Sequence, residues 1–93
     1  MTFEWDPRKE ALNLRKHGVS FHEAATIFGD PLALTFSDPD HSVNEQRFIT
    51  VGLSNMDRLL ITAHADRGDN IRIISARKTT QRERQQYEEE KDK

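Results

Sequence analysis

Two groups of side chains in this 93-residue sequence are suited to chemistry on a phosphodiester: Arg47 with His64, and Arg77. Cleaving RNA without a metal needs one group to take the 2′-hydroxyl proton and a cation to stabilise the charge developing on phosphorus. Histidine titrates near working pH and suits the first task. Arginine, with a planar and permanently charged fork, suits the second. Arg47, His64 and Arg77 fall in three successive β-rich runs, Glu45 to Leu53, Arg58 to Asp66 and Ile71 to Arg77.

Pairing those runs through turns centred on Asn55-Met56 and Gly68-Asp69 predicts which side chains share a face. Arg47 then opposes His64, Ile49 opposes Thr62 and Val51 opposes Leu60; on the other side His64 opposes Ile73, Thr62 opposes Ser75 and Leu60 opposes Arg77. One face carries Phe48, Leu59, Ile61, Ala63, Ile74 and Ala76 and is expected to pack on helices. The other carries Arg47, His64, Ser75 and Arg77 and is where a reactive groove belongs. A slip of one residue exchanges these faces for the slipped strand. Each candidate has a plainer structural reading as well. His64 fits a half-buried sheet histidine, Arg77 an exposed strand-end cation, and Trp5 a core aromatic as readily as a base-stacking platform. Lys16-His17-Gly18 fits a helix end, where cations meet the negative dipole terminus and glycine supplies the cap.

Other chemistries find no footing. There is no cysteine, which excludes a disulfide scaffold, a thiolate metal site and a cysteine nucleophile. The four histidines (17, 22, 41, 64) show no metal-ligand spacing, the four glycines make no phosphate loop, and no serine sits in a nucleophile elbow. No cofactor and no metal are expected.

The elements that must position these residues follow from local patterns. Thr2 to Trp5 alternates like a short edge strand. Asp6-Pro7 is a helix start, and Gly18 is placed to end that helix after His17. Ser20 to Glu23 is a capping box with Val19 stapling onto Ala24, and Phe21, Ala24, Ala25 and Phe28 form one apolar helical face before Gly29-Asp30-Pro31. Leu32, Leu34 and Phe36 alternate as a strand, Ser37 to Asn44 is a polar loop, and the three β-rich runs follow with tight turns between them. Such short connections require an antiparallel meander. Thr80 to Glu83 is a second capping box and opens a polar last helix. The predicted class is α+β: two N-terminal helices, an antiparallel β-meander sheet and a C-terminal helix, in a single domain spanning 1–93.

Net charge is only −2, but it is unevenly spread. Phe28 to Gln46 holds four acids and no Lys or Arg, whereas Arg67 to Tyr87 holds six bases (Arg67, Arg72, Arg77, Lys78, Arg82, Arg84) against Asp69 and Glu83. That stretch suits a polyanion such as RNA, or a solvated charged surface. Glu88 to Lys93 reads as a solvated acidic tail. Met1 to Asp6 has no signal-peptide pattern and no apolar stretch approaches the roughly 18–20 residues that span a bilayer, so a cytoplasmic protein with no membrane partner is expected.

Two blocks of residues resemble a known family. Phe3-Glu4-Trp5-Asp6-Pro7, then Asn13 with Lys16-His17-Gly18-Val19-Ser20-Phe21, is similar to the opening of BrnT toxins. Arg67-Gly68-Asp69-Asn70-Ile71-Arg72-Ile73-Ile74-Ser75-Ala76-Arg77 resembles their closing hairpin, and Lys78-Thr79-Thr80 with Arg82-Glu83-Arg84 and Tyr87 their last helix. The resemblance implies a RelE-like fold, ribonuclease activity that halts growth, and a BrnA-like ribbon-helix-helix antitoxin through which alone operator DNA is contacted. It carries over Lys16, His17, Arg47 and Arg77 by position. With His64 from the face map, these five are the candidate catalytic residues; Arg67, Arg72, Lys78, Arg82 and Arg84 are the candidate RNA contacts. A non-catalytic module that binds the antitoxin or nucleic acid on the same fold is the alternative reading.

Overall fold

The computed structural model describes residues 1–91. Its elements are β1 (Thr2–Glu4), α1 (Pro7–His17), α2 (Phe21–Thr26) prolonged by a 3₁₀ turn (Ile27–Gly29), β2 (Leu34–Ser37), a second 3₁₀ turn (Pro39–His41), β3 (Arg47–Leu53), β4 (Leu59–Arg67), β5 (Asn70–Lys78) and α3 (Gln81–Lys91). The caps explain the helix bounds. Asp6 Oδ1 accepts from Arg8 N at 2.8 Å, and Gly18 takes the left-handed conformation (φ 70°) while its N–H bonds Leu14 O. Ser20 Oγ caps α2 by accepting from Glu23 N at 3.0 Å. The reciprocal half of that capping box is not made: the Glu23 carboxylate turns away to Ser54 and Arg58. The box at Thr80 is complete, with Thr80 N donating to Glu83 Oε1 at 2.8 Å and Glu83 N to Thr80 Oγ1 at 3.2 Å. α3 then runs through Lys91, including four of the six residues read as a solvated tail; the last two lie outside the described residues.

The sheet order is β1-β5-β4-β3-β2, antiparallel throughout except that β1 adds to β5 in parallel. The α+β class and the meander agree with the sequence patterns; the register does not. β3 and β4 are joined by a turn with Asp57 in the left-handed region (φ 59°) and Ser54 N bonded to Arg58 O at 2.8 Å. Three residues, Asn55 to Asp57, therefore lie between the closing pair, a loop that commonly uses an αL residue. The turn centres on Met56, so Arg47 opposes Ala65 and Phe48 opposes His64. β4 is thus displaced by one residue from the expected pairing with β3. A second irregularity lies across the sheet. His64 pairs with Ile73 as expected, but Ala63 pairs with Ser75, which leaves Ile74 as an extra residue in a β-bulge.

These two features decide which side of the sheet each residue takes. Leu60, Thr62 and His64 face α1 and α2, in a core of Val19, Phe21, Ala24, Ile27, Leu60, Ile73 and Ala76 with Phe3, Trp5 and Phe28 against it. Gly52 admits the close approach of the first 3₁₀ turn, since a Cβ there would lie 3.1 Å from Ile27 O. The opposite side carries Leu34, Phe36, Ile49, Val51, Leu59, Ile61, Ala63, Ser75 and Arg77. α3 covers one part of it, burying Tyr87 against Val51 and Leu59, and the Tyr87 hydroxyl donates to Asp30 Oδ2 at 2.7 Å. The remainder is open. Among the described residues no helix is long and apolar enough to cross a membrane.

Candidate active site

The open face forms a shallow trough lined by His17 from the end of α1, by Ile49, Ile61 and Ala63 in its floor, and by Ser75, Ala76 and Arg77 of β5. Its volume of about 270 Å³ is just under the range of pockets that enclose a small molecule, which fits a groove holding part of a longer ligand. On one side it continues past His17 and Ser75 to Lys16, Leu12 and Lys9 on α1. On the other it continues over Ile49 and Ile61 to an apolar recess walled by Leu34, Phe36, Gln86 and Tyr87.

His17 and Arg77 come from different elements, and Asn13 joins those elements. Its amide donates to Val19 O at 2.9 Å and Ala76 O at 2.8 Å, and its oxygen accepts from Ala76 N at 3.1 Å. Val19 follows the His17-Gly18 helix end and Ala76 precedes Arg77. Asn13 is the only buried residue of α1, while Leu12 and Leu14 are exposed, so this helix is seated on β5 through a polar anchor. A second tie fixes the same corner: Arg58 Nη2 donates to Gly18 O at 3.1 Å and its Nε to Glu23 at 2.9 Å. The Arg58 hydrogen bonds hold the Glu23 carboxyl below the usual carboxylate range, and Ser54 adds to this.

Arg77 is oriented from α3. Its Nη1 and Nη2 donate to the two Glu83 oxygens at 2.8 and 2.9 Å, and Nη1 also reaches Lys78 O at 3.2 Å. That pairing lowers the Glu83 pKa to about 2 and raises that of Arg77. Of the five guanidinium N–H groups, the one on Nε and the second on Nη2 have no acceptor among the described residues. These two are parallel and adjacent, the arrangement that binds two phosphate oxygens.

The other candidates are placed differently from the expected face map. His64 is not beside Arg47 on the open side. It lies 3% exposed in the core, with Nε2 2.8 Å from Thr50 Oγ1 and its ring packed edge-on to Phe28 and stacked on Phe48. Burial lowers its pKa despite Asp66, whose nearest oxygen is 3.9 Å away, beyond hydrogen-bonding reach. The one-residue displacement of β4 is the reason. Arg47 does lie on the open face, but at the far end from Arg77 and bonded to Glu45 (Nε to Oε2, 3.3 Å). Arg72 pairs with the same carboxylate, Arg67 approaches Glu4 at 3.8 Å, and Arg84 approaches Glu88 at 3.7 Å. Lys78 and Arg82 lie at the Arg77 end, so the six bases from Arg67 onward run the length of β5 into α3 and make no single basic face. Lys16 is exposed next to His17. Glu83 and Asn13 were legible only as a capping residue and a motif position. No local pattern marks a carboxylate for a guanidinium six residues away, or an asparagine for a strand 63 residues on. Among the described residues no group of three or more His, Asp or Glu side chains could hold a metal ion.

The chain is similar to known proteins both in sequence and in fold. Residues 5–83 match the sequence model of the BrnT family, described as ribonuclease toxins of type II toxin–antitoxin systems. The fold is similar to the crystal structure of the Brucella abortus ribonuclease toxin BrnT, with a TM-score of 0.68 and 23% identity over 87% of this chain and 99% of that one. A search of curated proteins found no match.

Proposed function

Because the chain belongs to the BrnT family of ribonuclease toxins of type II toxin–antitoxin systems, we propose that its open sheet face is the site of RNA cleavage, with His17 and Arg77 as the reacting pair. The observation that carries this reading is that the two line one groove, and that Arg77 keeps a parallel pair of N–H donors without an acceptor among the described residues. In this mechanism the His17 imidazole takes the proton of the 2′-hydroxyl, the resulting oxygen attacks the adjacent phosphorus to close a 2′,3′-cyclic phosphate, and the 5′-oxygen of the next nucleotide leaves, taking a proton from water to become a 5′-hydroxyl. Arg77 binds the non-bridging oxygens and stabilises their growing charge. Lys16 adds positive potential beside the phosphate. No metal is needed in this scheme, because side chains supply both base and cation. His64, as a buried residue, acts in the fold and not on the substrate; Arg47, Arg72 and Arg67 lie toward the far end of the face, whereas Lys78 and Arg82 are closest to Arg77 and contact the RNA first.

The protein partner in this reading is a BrnA-like antitoxin that covers the groove, and operator DNA is reached only through it. The cell is protected while the groove is covered. Induced alone in a bacterial host, the chain is expected to arrest growth, and co-expression of the antitoxin to restore it. His17→Ala and Arg77→Ala should each abolish the arrest at equal soluble expression. Unimpaired growth with the parent chain would overturn the cleavage reading and leave a non-catalytic, antitoxin-binding module.

A further inference from the structure

α1 carries two lysines, Lys9 and Lys16, and an exposed Leu12 (61% exposed) along one stripe, at spacings of three and four residues. The three line a groove with Asn13, His17, Ile74 and Ser75. Ile74 is the bulge residue of β5, so the irregularity that separates Ala63↔Ser75 from His64↔Ile73 also supplies this groove's wall. Among the described residues no acidic side chain lines the groove, which shares His17 and Ser75 with the His17–Arg77 trough. Neither lysine is in an ion pair among those seen for the described residues, whereas Arg8, on the same helix, pairs with Asp6.

Local stability does not account for this stripe. Lys9 stands in the first turn of α1, where the helix dipole disfavours a cation and only the Asp6 carboxylate offsets this, and a leucine left in water gains nothing from burial. Lys16, in the last turn, is the one member that suits the helix. Features that break local rules together, beside a site, are where function is to be sought.

We infer that the Lys9–Leu12–Lys16 stripe of α1 is the path of the substrate RNA as it leaves the His17–Arg77 groove, with the lysines on successive backbone phosphates and Leu12 under a base. This rests on the RNA-cleaving reading of that groove and adds the direction in which the strand runs. Lys9 and Lys16 are seven residues apart, about 10 Å along the helix axis, so the stripe takes more than one nucleotide beyond the scissile phosphate. Positive charge in a groove that no described carboxylate lines favours a polyanion. The single apolar residue between the charges matches the alternation of phosphate and base in a single strand.

The test is fluorescence anisotropy of the full chain with a single-stranded RNA carrying 2′-O-methyl groups throughout, which cannot be cleaved. Binding is measured from about 50 to 500 mM salt. Each lysine on a phosphate contributes about 0.7 to the slope of log affinity against log salt for single strands. Lys9→Gln and Lys16→Gln should therefore each shrink the parent's loss of affinity across that tenfold range by about fivefold, and the double variant by about 25-fold. Lys91→Gln, the same charge change on α3, should leave the slope unaltered. Thermal melting of Lys9→Gln should stay at or slightly above the parent's. A slope for Lys9→Gln indistinguishable from that of Lys91→Gln overturns the path. So does a weakened antitoxin complex with unaltered RNA slopes, which would assign the stripe to the protein partner. Failure of the cleavage reading shows separately, as intact unmodified RNA in the same binding experiment.

Discussion

Replacing Asn13 by Asp changes one atom and tests whether a buried amide sets the geometry of the groove. The parent side chain makes three hydrogen bonds, to Val19 O at 2.9 Å, Ala76 O at 2.8 Å and Ala76 N at 3.1 Å, and is 8% exposed. A carboxylate keeps the acceptor for Ala76 N but confronts two carbonyl oxygens with no hydrogen. Each buried bond lost in this way costs about 1–3 kcal/mol, so a penalty of about 3 kcal/mol is expected at pH 8. For a domain of this size that is a fall in Tm of roughly 12–24 °C. The penalty should depend on pH with a definite sign. Burial and the two carbonyls raise the pKa of the new carboxyl above the ordinary value of about 3.9. A raised folded-state pKa gives stability that is present at low pH and lost as pH rises through it. The gap in Tm between Asn13→Asp and the parent should therefore narrow from pH 8 to pH 5. Single-turnover cleavage should fall by more than the folded fraction explains, because His17 and Arg77 lose their shared anchor. A penalty under about 1 kcal/mol that does not vary with pH, or cleavage at the parent rate, would refute the reasoning.

Other outcomes follow from the same contacts. Arg77→Lys keeps the charge but not the fork, so single-turnover cleavage should fall on the order of 10²–10³-fold; the partly exposed bidentate pair with Glu83 limits the loss of stability to about 1 kcal/mol by thermal melting. The lowered pKa of buried His64 means that the unfolded chain binds its proton first. Parent stability should be full above about pH 6.5 and decline as pH falls below it, and His64→Gln should remove that part of the slope in melts between pH 5 and 7.5. Tyr87→Phe removes the 2.7 Å hydrogen bond to Asp30 and should cost about 1.5–3 kcal/mol, with faster amide exchange along α3.

The helices, the meander and the ends of the strands were legible because their signals are local. Asp6-Pro7, Gly18, Ser20 and the Thr80 to Glu83 box each act within one turn of chain, and each does its expected work. The face map failed for β4 because register depends on backbone conformations that composition leaves open. Asn55-Met56 and Asn55-Met56-Asp57 are equally acceptable turns by residue type, and the choice between them moves His64 from the groove to the core. The bulge at Ile74 has no glycine or proline to announce it. Arg77 kept its face because it pairs beyond that bulge, with Ile61, itself on the open side. His17 was visible as a helix-end residue and as part of a family motif, but its company with Arg77 is made by Asn13, a contact across 63 residues. The parallel edge strand β1 lacked any signal for its partner.

The most direct test of RNA cleavage at the His17–Arg77 groove is single-turnover cleavage of a defined RNA by the purified chain, freed of its antitoxin, in the presence of a metal chelator. Cleavage should persist with chelator and give 2′,3′-cyclic phosphate and 5′-hydroxyl ends, as attack by the 2′-oxygen requires. It should vanish in His17→Ala and in Arg77→Ala and survive in His64→Gln. Dependence on added metal, or full activity in either groove variant, would contradict the mechanism.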